Sequence, residues 1–343
     1  MTDKQQLFFR LAVAAFVLAY AVVLMGAFTR IENAGLGCPD WPGCYGRVFA
    51  PTTPAQVEHA QHYDPQADIS PAKAWKEMIH RYMAGLLSLV ILAMAVVGMQ
   101  LQRRNHYSRY LLPLLAVVLI VFQALLGMLT VTWKLNPLIV MGHLLGGLSI
   151  LALLWWIVLR EQRFFRPKTP TAVTRRLRWL ALIALLVVIV QIALGGWTSS
   201  NYAGLACPDF PTCQAQWWPP MDFTAGFTLW HKLGIDYDGG VLSLAAATAV
   251  HMAHRLGALV TTLYVGGLAL YVIVAGREQH LCRYGVLLLV ALFIQVTLGV
   301  MNVLTHLTVP IAVAHNGFAG FLLLSVLLLN HVVRPGQTGE SES

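Results

Sequence analysis

Apolar residues run in eight long blocks, at about 8–29, 78–101, 110–132, 138–159, 178–199, 250–274, 283–304 and 309–332. Each block is about as long as the ~20-residue helix that crosses a hydrocarbon core. Polar and charged residues gather between the blocks. The pattern predicts an all-α integral membrane protein with eight transmembrane helices. The first block starts after Lys4 and contains Ala19-Tyr20-Ala21, like a secretory signal. It runs well past that point and has a counterpart later in the chain, so it is read as a retained helix.

Composition sharpens this picture. Of 343 residues, 57% are hydrophobic and 11% charged, against roughly 25% charged in a soluble domain. The mean hydropathy is +0.65. Positive charge is unevenly placed. Arg103, Arg104 and Arg109 follow the second block. Arg160, Arg163, Arg166, Lys168, Arg175, Arg176 and Arg178 follow the fourth, Arg277 and Arg283 the sixth, and Arg334 the last. The other connections are poorer in Lys and Arg or balanced by acids. Short-loop positive charge stays in the cytoplasm. Both termini are therefore expected inside, and the long loops after the first and fifth blocks outside. The net charge of +8 is mostly this asymmetry and calls for no nucleic-acid partner.

The two long loops carry a repeated cassette. GLGCPDWPGC at 35–44 returns as GLACPDFPTC at 204–213, with seven of ten positions identical. The register extends beyond the loops. Gly26 falls on Gly195, Ile79-His80-Arg81 on Ala253-His254-Arg255, Gln123 and Gly127 on Gln295 and Gly299, and His143 on His315, at offsets of 169 to 174. The chain thus reads as two units, 8–159 and 178–332. Four helices in each give both the same orientation, and two tandem four-helix bundles with a pseudo-twofold axis along the membrane normal are expected.

Four of the five cysteines lie in these outward loops, where paired thiols oxidise. Pro-rich turns bring the ends of each cassette together, so Cys38–Cys44 and Cys207–Cys213 are expected as within-loop disulfides, with Cys282 free at the cytoplasmic edge. Two readings stand: structural staples on both loops, or one redox-active pair. The C-x5-C spacing is not that of a zinc site.

His80, His143, His254 and His315 lie on the even-numbered helices, one or two turns from their outward ends. Ionisable groups within a bilayer are costly and mark function. Two facing imidazoles per unit suit the axial positions of a haem iron, giving two haem-sized sites near the outer face. Small residues follow each histidine: Ala84, Gly147, Ala258 and Ala319 four positions on, with Gly85, Gly146, Gly257 and Gly320 beside them, a clearing for a flat ring. Arg81 and Arg255 come directly after their histidines and are read as partners of haem propionates or of loop carboxylates, with snorkelling to headgroups as the plainer alternative.

The GLGCPDWPGC loop, the E-x-x-H-R helix start, the G-H helix and the later H-R and H-N-G resemble the haem A synthase family, CtaA/Cox15, over about residues 10–333. The resemblance implies an oxidoreductase of the cytoplasmic (inner) membrane acting on a CH group. It would convert haem O to haem A for terminal oxidases by oxidising the C8 methyl to a formyl through hydroxylated intermediates. It also implies haem b as cofactor in the C-terminal half, substrate haem in the N-terminal half, axial ligands at His80, His143, His254 and His315, and loop cysteines at Cys38, Cys44, Cys207 and Cys213. Some members lack these cysteines, so a redox role for them is not general. Contact with haem O synthase or oxidase assembly factors is expected, and an exposed helix face would support a homo-oligomer.

Two other classes compete: a di-haem b-type carrier moving electrons between quinone and the outer thiols, and a haem transporter. All four histidines cluster near one face, which leaves no ligand ladder across the membrane for transport. One asymmetry separates the halves. At the 174-residue offset Glu77 falls on His251. Glu77 shares a helix face with His80, so a carboxylate lies beside one site only, where methyl oxidation would use it to accept protons or stabilise charge. Substrate haem is therefore assigned to His80 and His143 with Glu77 catalytic, and haem b to His254 and His315. The plainer reading pairs Glu77 with Arg81 or Lys73. The role of His251 is left open. His59, His62 and His231 are read as solvated loop residues, with contact to propionates as the alternative, and Gly336–Ser343 as a disordered polar tail.

Overall fold

A computed structural model describes residues 2–65, 68–105, 111–161, 172–230, 232–277 and 280–334, with side chains omitted at 102–105 and 172–174. The tail, His231, Arg109 and the basic run from Arg163 to Lys168 lie outside the described residues. Among those described the structure is all helical. Ten α-helices form: α1 Asp3–Ile31, α2 Pro54–Tyr63, α3 Pro71–Asn105, α4 Leu111–Thr132, α5 Pro137–Glu161, α6 Ala172–Ser200, α7 Phe223–Gly226, α8 Leu244–Ala275, α9 Cys282–Leu304 and α10 Val309–Val332. All but α2 and α7 are long and apolar enough to span a membrane, as the eight blocks predict.

Two helices begin earlier than their apolar blocks. α3 starts at Pro71 rather than near 78, and α8 at Leu244 rather than near 250. The added turns are capped: Ser70 Oγ accepts from Lys73 N at 3.4 Å and Ser243 Oγ from Ala246 N at 3.3 Å. Hydropathy marks only the part of a helix that lies in hydrocarbon, and these turns rise above it to meet the loops. His80 and His254 consequently sit nine and ten residues into α3 and α8, deeper along their helices than the one or two turns expected. His143 and His315 each lie six residues in, as expected.

α1 packs on α3 and α5, α3 on α4, and α4 on α5; likewise α6 packs on α8 and α10, α8 on α9, and α9 on α10. Between these sets α1 meets α10, α5 meets α6, and α5 meets α10. The seam carries polar ties: Tyr20 Oη donates to Gly317 O at 2.9 Å and Trp155 Nε1 to Leu324 O at 3.1 Å. On the cysteine-loop face, Arg30 donates to Ser199 O at 2.5 Å and lies 3.9 Å over the Tyr202 ring. The long α6–α8 connection also reaches across. Tyr237 N donates to Lys134 O in the α4–α5 turn at 3.1 Å, and Trp230 stands edge-on to Trp133.

The sequence repeat has a backbone counterpart. Left-handed residues other than glycine recur in register: Asn33 with Tyr202, Tyr45 with Gln214, Lys134 with His306, and Leu135 with Leu307. Such a conformation costs roughly 1–2 kcal/mol per residue. Its recurrence at matched positions extends the sequence repeat from the helices into the turns.

Candidate functional site

Each of the four histidines is set by a glycine on the adjoining helix. A Cβ built on Gly26 of α1 would lie 2.9 Å from His80 Cε1; on Gly127 of α4, 3.2 Å from His143 Cε1. Gly195 of α6 and Gly299 of α9 stand in the same relation to His254 and His315, at 2.9 and 3.0 Å. The imidazole edge thus fills a notch that any side chain would close. Nδ1 of His80, His143 and His315 is buried with no hydrogen-bond partner. All four histidines nevertheless keep partial exposure within their helices, unlike buried His251. Gln191 contacts His254 at Nδ1, leaving Nε2 to a ligand, whereas at His315 it is Nε2 that Gln295 contacts.

His80 and His143 face one another with ring centroids 6.4 Å apart. Two metal–imidazole bonds of about 2.0–2.1 Å through one ion would put the centroids about 6.3 Å apart, a spacing this pair matches with its ring planes 78° apart. Across the other half, His254 lies within electrostatic range of His315. Among the described residues no group of three or more His, Cys, Asp or Glu could hold a bare metal ion. Two opposed imidazoles suit iron whose other four positions are filled by a porphyrin. The donors present fit haem.

Glutamines brace the pairs. Gln123 Nε2 donates to His143 O at 2.6 Å; Gln191 Nε2 contacts His254 O at 3.0 Å and its Nδ1 at 3.1 Å; Gln295 Nε2 lies 3.4 Å from His315 Nε2. This corrects part of the expected clearing. Cβ atoms on Gly146 and Gly257 would meet Gln123 and Gln191 Oε1 at 2.2 and 2.3 Å, so these glycines make room for carboxamides. Gly85 has open space around it, and Gly320 is packed against Leu148 and Leu151. The positioning glycines escape a reading based on residues near each histidine in sequence, because they lie on neighbouring helices. Their shared repeat offset was the available signal.

The cysteine loops close over the same helices. Disulfides join Cys38 to Cys44 and Cys207 to Cys213, all four residues are buried, and Cys282 is free. Each cassette aspartate holds the turn that follows. Asp40 accepts from Tyr45 N at 2.6 Å and Gly46 N at 2.9 Å; Asp209 accepts from Gln214 N at 2.6 Å and Ala215 N at 3.0 Å. The Thr212 hydroxyl, then the Ala215 and Gln214 amides, hold the Asp209 carboxyl below its usual range.

Arg81 and Arg255 grip these loops from below through backbone carbonyls. Arg81 Nη1 donates to Asp40 O at 2.9 Å and Gly43 O at 2.5 Å. Arg255 donates to Thr212 O, Asp209 O and Cys207 O at 2.8, 2.7 and 3.1 Å. Glu77 is buried, with Oε1 2.5 Å from Arg81 Nη2 and Oε2 accepting from Cys38 N at 2.9 Å. At the matched position His251 Nδ1 accepts from Cys207 N at 3.3 Å. Glu77 and His251 are therefore counterparts in space as in sequence, each receiving the amide of its loop's first cysteine. Lys73 makes no ion pair with Glu77; Lys76 pairs with Glu32 instead.

The loop helix α2 is absent from the hydropathy pattern, being polar. Its signature is Thr53-Pro54-x-Gln56, a capping box. On it, His59 is exposed, while exposed His62 Nδ1 bonds Glu58 O at 2.8 Å.

The chain is similar to known proteins along nearly its whole length. Residues 9–327 match the model of the COX15-CtaA family, described as cytochrome oxidase assembly protein. A protein of Shewanella oneidensis named Heme A synthase is 44% identical over 315 residues, covering 92% of this chain and 93% of that one. Proteins of the same name from Geobacillus kaustophilus and Bacillus pumilus are 26% and 23% identical, over 92% and 91% of this chain and 89% and 90% of theirs. A match running through all eight spanning helices, both cysteine loops and all four notched histidines identifies the chain as a member of the COX15-CtaA family.

Proposed function

We propose that this protein is a haem A synthase, an oxidoreductase that converts the C8 methyl of haem O to the formyl of haem A. The observation that carries the reading is the His80–His143 pair, held at 6.4 Å by glycine notches, in a family member so similar to a named Heme A synthase. Substrate haem is assigned to His80 and His143, haem b to His254 and His315. The two helix sets act as four-helix units related by a pseudo-twofold axis along the membrane normal; the reciprocal seam, α1 on α10 and α6 on α5, supports this. Lys and Arg asymmetry supports cytoplasmic termini and outward cysteine loops in the inner membrane.

Haem b, when bound, supplies one-electron redox chemistry in the C-terminal half. The chain's own residues do the rest. His80 and His143 orient the substrate ring so that one edge is turned toward the Glu77 end of α3. Written against water, R–CH3 + H2O gives R–CHO, four protons and four electrons, the oxygen coming from water and the electrons leaving to an acceptor outside the chain. Glu77, one turn from His80 toward the loop, is the residue assigned to accept the protons, and Arg81 balances its charge. The disulfide-closed loops exclude water from above. Arg81 Nη1 and both Arg255 Nη groups are directed to loop carbonyls, while Arg81 Nη2 pairs with Glu77 and Arg255 Nε is left without a partner; this supports loop anchoring by both guanidinium groups.

Pigment extraction from the purified protein, with chromatography and mass spectrometry, tests the reading. One haem b per chain together with haem O, its hydroxylated forms or haem A is expected. Two permanently bound, unmodified haems b would instead make the protein a di-haem carrier.

A further inference from the structure

On the face opposite the cysteine loops, the ends of α5, α6 and α10 converge at the seam between the two helix sets. Buried Asn330 ties α10 to α6 by donating to Ala181 O at 2.9 Å. Trp156 of α5 stands edge-on to His331 of α10, 5.3 Å between ring centroids. The Arg334 guanidinium, just past α10, lies 4.4 Å over the same Trp156 ring. Arg160 from α5 and Arg178 from α6 are close enough to act on it: burial first, then Arg178 and Arg160, hold Arg334 below its ordinary value.

Arg160 lies one turn beyond Trp156 on α5 and Arg178 one turn before Ala181 on α6; with Arg334 over Trp156 and Asn330 on Ala181, three arginines border the same end of the seam. Among the described residues the ion pairs are Lys76–Glu32 and Arg81–Glu77, so no described carboxylate neutralises this cluster, and Glu161 nearby has a partner of its own. Topogenic charge explains how many arginines this face carries, but not their convergence, since a positive loop holds orientation wherever its charges point. Like charges brought together at a membrane surface are stabilised by an anion. Guanidinium forks match phosphate oxygens bidentately, and stacking on Trp156 holds one fork in place. Exposed Trp179, next to Arg178, adds a ring at headgroup depth.

We propose that Arg160, Arg178 and Arg334 form a binding site for a phosphate group, supplied in the membrane by an anionic phospholipid of the leaflet opposite the cysteine loops. Basic pockets between membrane helices bind acidic headgroups in this way. The bound lipid would clamp the seam without entering either histidine pair.

The test uses the full chain purified in detergent. Native mass spectrometry and thermal midpoints are read with phosphatidylglycerol, with phosphatidylcholine and with inorganic phosphate alone. The expected result is retention of phosphatidylglycerol and a raised midpoint, with no effect of phosphatidylcholine. Arg160→Gln/Arg178→Gln/Arg334→Gln should bind phosphatidylglycerol on the order of a hundred-fold more weakly, roughly five-fold per arginine. Lys4→Gln/Arg277→Gln/Arg283→Gln removes equal charge on residues that face α3 or lie beside α8 and α9, off the seam, and should bind as the parent does. The haem spectrum, set near the other face, reports that both variants are folded. Unchanged binding in the seam variant, or equal loss in the control, overturns the site. A full effect of inorganic phosphate at millimolar concentration would show that a free anion is the ligand and overturn the lipid assignment.

Discussion

Replacing Gly195 with alanine tests whether the glycine notch sets ligand geometry. On an exposed helix the change would stabilise by about 1 kcal/mol, because alanine is the better helix former. Here the added methyl would sit 2.9 Å from His254 Cε1, where carbon contacts settle at about 3.5–4.0 Å. The ring must therefore retreat by about 0.6–1.1 Å, against a metal–nitrogen bond of about 2.0 Å. Overpacking of this kind costs about 1–3 kcal/mol, which corresponds to a roughly 5- to 150-fold loss of haem affinity. The assay is haem content per chain after purification, with absorption spectra of both oxidation states. Gly195→Ala should lose haem b or show an altered axial-ligand spectrum. Gly26→Ala, with the same 2.9 Å contact to His80, should spare haem b and weaken substrate haem. Gly85→Ala, which meets nothing within 4 Å, should change neither. Normal haem b content and spectrum in Gly195→Ala would refute the notch as the positioning element.

Glu77→Gln should keep the haem b spectrum yet stop haem A formation or stall it at the alcohol, read by pigment mass spectrometry; a normal rate would remove Glu77 from the chemistry. His254→Met should disturb haem b itself, visible in the absorption spectrum before any product is assayed. Arg255→Gln removes three bonds to the second cysteine loop, and reduction of buried Cys207–Cys213 by a non-permeant phosphine should quicken at least ten-fold, with Cys38–Cys44 unaffected.

The spanning helices were legible because hydrocarbon enforces a long apolar run, and the repeat was legible because it preserved polar exceptions inside those runs. The four histidines stood out for the same reason. What the pattern could not carry were features decided off the apolar stretch. The first turns of α3 and α8 are polar or weakly apolar and look like loop. α2 announces itself only by its cap. The glycine notches and the Gln191 contact to His254 depend on which helix neighbours which, and spacing along one helix does not contain that. Arg81 and Arg255 were expected on propionates or loop carboxylates, because spacing does not reveal that the loops turn their backbone carbonyls toward them. Glu77 and His251 were matched by register alone, but that both receive a cysteine amide is visible only in three dimensions.

The strap that carries Tyr237 to Lys134 O and Trp230 to Trp133 has a consequence for biogenesis. The first four spanning helices leave the ribosome before the segment that roofs their α4–α5 turn. At ribosomal speed that segment follows about a hundred residues later, ~5–20 s after the turn itself. During this interval the early half is uncovered, and the arrival of one later loop completes it. A nascent chain arrested after α6 would present an open turn to whatever chaperone or protease waits on that side of the membrane. Two separately expressed halves would mature only when the second delivers its strap.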